Sequence, residues 1–273
     1  MRTRPSVQQV GGLLVRRAGF TLLELLAVVA IILIVVGLLS AALNQTRTRT
    51  MRVTCLDNMR QLQIAWGLYA DENNDFVALN KTAPLGGPTV GIAAAPRNST
   101  NSWVAGNPKE DRSVDALSRG TLFPYTSRQP ELYRCPMDSS TTRFGTPRTR
   151  SYSIDAYLGG DDEELDPRVK MRVSDIVNPG PDRVFVFIEE HEHSIWASGF
   201  MVMPREKFGP TAGVWASTPS DRHMQGCNLT FADGHLEYWK WNAPKKAGQN
   251  NKPVLSMKDL RDLRLLQDAV PRP

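Results

Sequence analysis

The hydrophobic positions of the chain fall into three patterns, and the first is an apolar run over residues 20–43. Its only strongly polar side chains are those of Thr21, Glu24 and Ser40. A membrane-spanning helix needs roughly 20 predominantly apolar residues, and this run has 24. The pattern therefore predicts one membrane segment, residues 20–43, close to the N-terminus.

The second pattern covers residues 44–79, where apolar residues recur at spacings of three and four. Such spacing predicts one apolar face on an amphipathic helix, and the residues that form it are Val53, Leu56, Met59, Leu62, Trp66 and Tyr69. Two interpretations are open. The chain forms one continuous helix over about residues 20–71, or a membrane helix and an amphipathic helix separated by a break near residues 44–50.

The third pattern is a β-rich head over residues 103–241, preceded at residues 80–102 by a loop rich in Gly, Pro, Ala and Asn. Residues 183–188 are β-branched and aromatic and are the best strand candidate. The Asp233-Gly234 pair lies between two strand-like runs, which are residues 227–231 and 236–241. This predicts a hairpin in which both turn residues adopt positive φ.

Residues 242–273 are predicted to be a tail that contains one short helix. Ser256 is the expected cap, Asp259 lies in the first turn, and leucines share one face: Leu260, Leu263 and Leu266. With the long N-terminal helix and the strand-rich head, this predicts an α+β fold.

The charge of the chain is concentrated at its N-terminus. There are 33 Lys and Arg residues against 28 Asp and Glu, a net charge of +5, and a basic balance invites a nucleic-acid interpretation. Residues 1–19 hold four arginines and no acid, so residues 20–273 carry 33 − 4 = 29 basic and 28 acidic residues. Because the excess belongs to this segment, we expect no nucleic acid among the partners.

Glu24 is the unusual residue of the apolar run, since an unpaired carboxylate inside a bilayer costs about 2.5–3.5 kcal/mol. Residues 16–26 read Arg-Arg-Ala-Gly-Phe-Thr-Leu-Leu-Glu-Leu-Leu, with the pair Arg16-Arg17 ahead of Gly19 and Phe20. This pattern resembles the processing site of type IV prepilins and type II secretion pseudopilins.

The resemblance implies a function for each part of the pattern. Residues 1–19 would be a leader peptide that prepilin peptidase removes after Gly19, and the same enzyme would methylate Phe20. Glu24 would be the fifth mature residue and pair with the terminal amine of a neighbouring pilin or pseudopilin subunit, because a paired buried charge is tolerated where a lone one is not. The protein would cross the inner membrane once, with its head outside the cytoplasm, and its long helix would pack on an antiparallel sheet as in pilins.

A second resemblance lies in the head, where His223 is followed by nine residues and then by Asp233 and Gly234. This resembles a large prepilin-like family named for its His-x9-Asp-Gly pattern. Three further segments resemble motifs of that family: Cys-x-x-Asn-x-x-Gln at residues 55–61, Cys-Pro-x-Asp at 135–138, and Ser-Tyr-x-x-Asp at 151–155, where the family has Asn in the last position.

The three cysteines have two interpretations. An exported chain is found in a compartment where disulfides persist, and a Cys55–Cys135 bond would join the helix to the head, leaving Cys227 in the hairpin. The alternative is three reduced, buried cysteines that act as small hydrophobic side chains.

The histidines suggest a metal site. The four histidines and one aspartate form a candidate Zn²⁺ set: His191, His193, His223, Asp233 and His235. The acidic run at residues 161–164 is a candidate Ca²⁺ loop. In both cases a solvated polar segment is the favoured interpretation, so we expect no cofactor, and the metal site is the alternative.

Motifs of catalysis are missing from the sequence: it has no phosphate-binding loop, nucleophile elbow or His-Glu-x-x-His pair. We therefore expect no catalytic residues, and the prepilin resemblance implies a structural filament subunit. The first alternative is a membrane-tethered binding protein that uses the prepilin signal for export, and the second is a metal-dependent enzyme.

Overall fold

The computed structural model describes residues 21–83, 97–98, 101–160, 166–195 and 198–273. The predicted leader, the processing residues Gly19 and Phe20, and the acidic run at 161–164 lie outside the described residues, as does most of the predicted loop at 80–102. The chain forms two compact units, Met1–Arg47 and Thr48–Pro273.

The first helix, α1, begins at Leu22 and ends at Glu72. Residues 44–50 are helical throughout, so the interpretation with a break in this region is wrong. In the first unit, residues 22–40 are all exposed. The segment Leu22–Ser40 is long and apolar enough to cross a membrane, and within the described residues it is the one helix of this kind.

In the second unit, α1 buries one face against the head. Cys55, Met59, Leu62 and Trp66 lie on this face, at spacings of four, three and four residues, and each is at most 1% exposed. Val53 was predicted on the same face but is 61% exposed. Each helical residue advances by about 100°, so a side chain two positions before Cys55 points to another side of the helix.

The head is built on a five-stranded sheet with the order β5-β3-β4-β7-β8. Its strands are β3 (Tyr152–Asp155), β4 (Phe185–Glu189), β5 (Gly199–Phe200), β7 (Gly226–Phe231) and β8 (Leu236–Lys240). Two short ribbons accompany it: β1 (Thr82–Ala83) with β2 (Arg97–Asn98), and β6 (Val214–Trp215) with β9 (Lys252–Pro253).

The predicted antiparallel sheet is in fact mixed, because β5 pairs with β3 in parallel. The other three pairings are antiparallel. After β4 the chain passes β3 and forms β5 at the edge of the sheet. There β5 runs in the same direction as β3. The remaining architecture, an apolar N-terminal helix followed by a head of α+β type, agrees with the pilin-like fold that was expected.

The predicted hairpin joins β7 and β8, but its turn differs from the expected one. The Phe231 N–H donates to the His235 carbonyl and the Gly234 N–H to the Phe231 carbonyl, both at 2.9 Å. Gly234 has φ +95°, whereas Asp233 has negative φ. The loop is therefore a three-residue turn that needs positive φ at its last position alone.

The central strand β4 is buried on both faces of the sheet. Val186 and Phe187 of β4 pack in the core that contains the buried face of α1, while Phe185 and Ile188 pack in a second core. A hydrogen bond of 2.6 Å from Thr230 Oγ1 to Gln63 Oε1 links β7 to α1.

The second core includes the predicted C-terminal helix, α2 (Met257–Asp268). Ser256 Oγ accepts the Asp259 N–H at 3.2 Å, so the predicted cap is confirmed. Leucines of α2 are buried on one face, as their spacing predicted: Leu260, Leu263 and Leu266.

Candidate functional site

The side chains of Thr21 and Glu24 cap the start of α1 through reciprocal hydrogen bonds. The backbone N–H and the hydroxyl of Thr21 both donate to Glu24 Oε2 at 2.9 Å, and the Glu24 N–H donates to Thr21 Oγ1 at 3.2 Å. This is a capping box, which satisfies backbone donors that have no partner inside the helix. Within the described residues Glu24 Oε1 accepts no hydrogen bond.

A cluster of four chemically reactive side chains lies inside the head. Cys55 of α1, Cys135, Glu189 of β4 and His223 each present one candidate ligand atom, and these atoms all lie within 4.8 Å of one another. His223 Nε2 is 3.0 Å from Glu189 Oε1 and 3.4 Å from Cys135 Sγ. We call these residues the Cys-His-Glu cluster.

Tight turns fix two members of the cluster. Cys135 begins the Cys-Pro-x-Asp turn, in which the Asp138 N–H donates to the Cys135 carbonyl at 2.9 Å. The Cys135 N–H donates to Ser151 Oγ at 3.1 Å, and that hydroxyl donates to Asp138 at 2.6 Å. His223 lies in the turn before β7, where its N–H donates to the Gly226 carbonyl at 3.2 Å.

Neighbouring side chains support the cluster. The Tyr152 hydroxyl lies 3.0 Å from Cys55 Sγ, and Asn228 Nδ2 donates to Glu189 Oε1 at 2.9 Å. Cys55 Sγ also contacts this carboxylate oxygen. Two buried atoms of the cluster have no partner within the described residues, namely Glu189 Oε2 and His223 Nδ1.

The proximity of these groups changes their proton affinities. The hydrogen bond from Cys55 lowers the pKa of Cys135 to about 6, against the effect of burial and with help from His223. Burial opposes a charge on His223, but hydrogen bonds to Cys135 and Glu189 prevail and raise its pKa to about 9. Burial and the hydrogen bond to Cys135 raise the pKa of Cys55 well above its ordinary value. The arrangement favours a thiolate at Cys135 beside a protonated His223.

The cluster is closed to solvent. Cys55, Cys135 and Glu189 are 0% exposed and His223 is 1% exposed. A Cys-His-Glu arrangement is able to generate a nucleophile. Its donor atoms are also able to bond to one another or to hold a small ion.

The structure brings together the two cysteines that were predicted to form a disulfide, since both belong to the Cys-His-Glu cluster. Both are free thiols in the structure, as is the buried Cys227. The sequence left open whether Cys55 and Cys135 lie near each other, and the structure places their sulfur atoms within 4.8 Å. The disulfide bond itself stays a prediction.

The structure does not gather the predicted histidine set into one site. His191 and His193 stack with ring centroids 5.5 Å apart. Asp233 Oδ1 lies 2.6 Å from His235 Nδ1 in the partly exposed hairpin turn. Of the five predicted metal ligands, His223 alone belongs to the Cys-His-Glu cluster.

Glu189 is the member of the cluster that the sequence interpretation missed. The available signal was its position, because it ends the apolar strand 185–189, whose residues are all buried. A carboxylate at such a position needs a partner, since burying an unpaired charge is costly.

The motifs that carry the second resemblance meet at the cluster. Their residues Cys55, Cys135, Tyr152 and His223 are neighbours in space, whereas Asp233 and Gly234 lie in the exposed turn of the hairpin. Motifs that are far apart in the sequence therefore contribute residues to one buried site.

Comparison with protein families identifies a prokaryotic N-terminal methylation motif at residues 14–40. The motif includes Gly19, Phe20 and the Thr21–Glu24 capping box, and it is the prepilin-type signal typical of exported pilin-like and pseudopilin-like proteins. The resemblance of the head to the His-x9-Asp-Gly family stays a prediction. No curated protein and no solved structure matches the chain.

Proposed function

We propose that the protein is a structural subunit of a type IV pilus or of a type II secretion-like filament. Prepilin peptidase would cut after Gly19 and methylate Phe20, and the head would lie outside the cytoplasm. The observation that carries the proposal is the methylation motif at residues 14–40. It includes the apolar segment Leu22–Ser40, in which Glu24 is the only carboxylate, and a folded head follows.

The geometry of Glu24 supports a role in assembly. The Thr21 backbone N–H and hydroxyl both donate to Oε2, and Oε1 accepts no hydrogen bond within the described residues. The ammonium group that cleavage creates on a neighbouring subunit would pair with Oε1, and the capping box would hold the carboxylate in place. An ion pair of this kind removes most of the penalty of a lone charge in the bilayer.

We also propose that the protein is not an enzyme. The Cys-His-Glu cluster brings nucleophilic and titratable side chains together, and it is closed to solvent. A binding protein anchored by a prepilin signal is the competing function, and it shares the processing step but not the assembly step.

Two measurements test the function. Mass spectrometry of the chain isolated from membranes should find a mature N-terminus at methylated Phe20, and a Gly19→Val variant should keep its leader. Glu24→Ala should be processed normally but fail to enter filaments in a sheared-filament assay. Normal assembly of Glu24→Ala would contradict the filament proposal and favour the anchored binding protein.

A further inference from the structure

We propose that the Cys-His-Glu cluster is a structural Zn²⁺ site whose ligands are Cys55, Cys135, Glu189 and His223. The proposal does not depend on the filament function, because it concerns how the head is held together. It also differs from the histidine set that the sequence suggested, with which it shares His223 alone.

The ligand chemistry fits zinc. Thiolate sulfur, imidazole nitrogen and carboxylate oxygen are the atoms that bind Zn²⁺ in proteins, and structural sites have four such ligands in tetrahedral geometry. The cluster supplies two sulfurs, one nitrogen and one carboxylate. A hard cation such as Ca²⁺ or Mg²⁺ would require oxygen ligands instead.

The distances are close to those that a zinc ion requires. Zn–S bonds of about 2.3 Å and Zn–N or Zn–O bonds of about 2.0–2.2 Å give tetrahedral edges of roughly 3.3–3.8 Å. The edge from His223 Nε2 to Cys135 Sγ is 3.4 Å and lies within this range. The edge from His223 Nε2 to Glu189 Oε1 is 3.0 Å, and Cys55 Sγ lies closer still to this oxygen, so the ion would move these atoms apart. All four atoms lie within 4.8 Å of one another, so small side-chain movements would complete the coordination.

The surroundings are those of a closed site. Glu189 Oε2 and His223 Nδ1 are buried with no partner in the described part of the chain. The cluster therefore has hydrogen-bonding atoms that its own contacts do not use. Tyr152 and Asn228 contact Cys55 and Glu189 from outside the cluster, as the hydrogen-bonding neighbours of metal ligands do. Since protein would provide all four ligands, the ion would hold structure and perform no catalysis.

The ion would join parts of the head that are distant in sequence. It would link α1, the Cys-Pro-x-Asp turn, the end of β4 and the turn before β7. Ligands must lose their protons to bind, so zinc binding would release protons and contribute to the free energy of folding. A Cys55–Cys135 disulfide would remove two of the four ligands and so exclude the ion. Glu189 and His223 would then have no metal to bind.

The metal content of the full-length chain tests the proposal. The protein is extracted from membranes into detergent without chelator or reductant, and metals are measured by mass spectrometry. We expect about one zinc per chain and three cysteines that react with an alkylating agent after denaturation. A Cys55–Cys135 disulfide, a different metal, or free thiols without zinc would each overturn it.

Matched variants locate the site. His223→Gln and Cys135→Ser should lower zinc affinity by more than about 100-fold, whereas His235→Gln and Cys227→Ser should retain the metal. Zinc that survives in the first pair would also overturn the proposal.

A measurement on the unmodified chain covers the case in which the ligand variants do not fold. Cobalt(II) exchanged for zinc should produce a near-ultraviolet sulfur-to-cobalt charge-transfer band. Absence of this band in the wild-type chain would overturn the site.

Discussion

The ammonium nitrogen of Lys245 lies 2.7 Å from a carboxylate oxygen of Asp262, and both side chains are fully buried. The same nitrogen is 2.9 Å from Asp259. It also lies over the rings of Trp215 and Trp241, at 4.6 and 5.3 Å from their centroids. One lysine thus fixes the position of α2 in the second core.

Lys245→Met should therefore lower the free energy of unfolding of the head by about 3–5 kcal/mol, because it leaves two buried carboxylates without their cation. The measurement is chemical denaturation of the detergent-solubilised chain, followed by tryptophan fluorescence. The neighbouring Lys246 is exposed, so Lys246→Met should change stability by no more than about 0.5 kcal/mol. Equal effects of the two substitutions would contradict this interpretation of the ion pair.

Asp155 should make the head less stable as the pH rises. Burial raises the pKa of the Asp155 carboxyl well above its usual range, and its Oδ2 has no partner in the described residues. Because the unfolded chain loses this proton at a lower pH than the folded chain does, the stability it contributes is present below about pH 4 and is lost above it.

Asp155→Asn should therefore stabilise the head at pH 7, by about 1–2 kcal/mol, and the difference should disappear near pH 4. Asp75 is the control of opposite sign, since hydrogen bonds from Ser174 lower the pKa of its carboxyl. Asp75→Asn should lose stability at pH 7 and match the wild type at acidic pH. Denaturation curves at several pH values would distinguish the two behaviours, and parallel curves for both variants would contradict them.

Substitution by alanine should have opposite effects on stability at two glycines, Gly67 and Gly226. A Cβ at Gly67 in α1 would meet no atom within 4 Å, and Ala is a better helix former, so Gly67→Ala should stabilise the head by about 0.5–1 kcal/mol. A Cβ at Gly226 would meet the Tyr238 hydroxyl at 2.6 Å and overlap the Trp239 carbonyl. Gly226→Ala should therefore destabilise it by about 1–3 kcal/mol, and thermal unfolding would measure both effects.

Thr21→Val separates capping from assembly at the start of α1. The substitution removes the hydroxyl that bonds to Glu24 but keeps the carboxylate. If Glu24 acts by pairing with a neighbouring subunit, Thr21→Val filaments should form in reduced amount, while Glu24→Ala filaments should be absent. Quantitative immunoblots of sheared filaments would compare the two variants, and equal loss would mean that the cap itself is the requirement.

Local signals in the sequence were sufficient for much of the fold. Apolar spacing predicted α1, a capping serine predicted α2, and an Asp-Gly pair predicted the β7–β8 hairpin. Each of these signals depends on residues that lie close together in the sequence. The exact turn was predicted less well, since the three-residue loop is set by how β7 and β8 pair.

The parallel edge and the Cys-His-Glu cluster depend on contacts between distant segments. Strand β5 has two residues, too few for a periodic pattern. The contact of Cys55 with Glu189 joins residues 134 positions apart, and that of Cys135 with His223 joins residues 88 apart. The sequence identified three of these side chains individually, but their convergence is a property of tertiary structure.

The hydrogen bond between Gln63 and Thr230 has a consequence for how the head folds. It spans 167 positions, so the inner face of α1 meets β7 only after most of the chain has been synthesised. Folds dominated by such distant contacts form slowly. Met59, Leu62 and Trp66 share their core with Val186 and Phe187 of β4, so part of this apolar face stays exposed until β4 has been synthesised. A nascent chain that ends before β4 is therefore prone to associate with other chains.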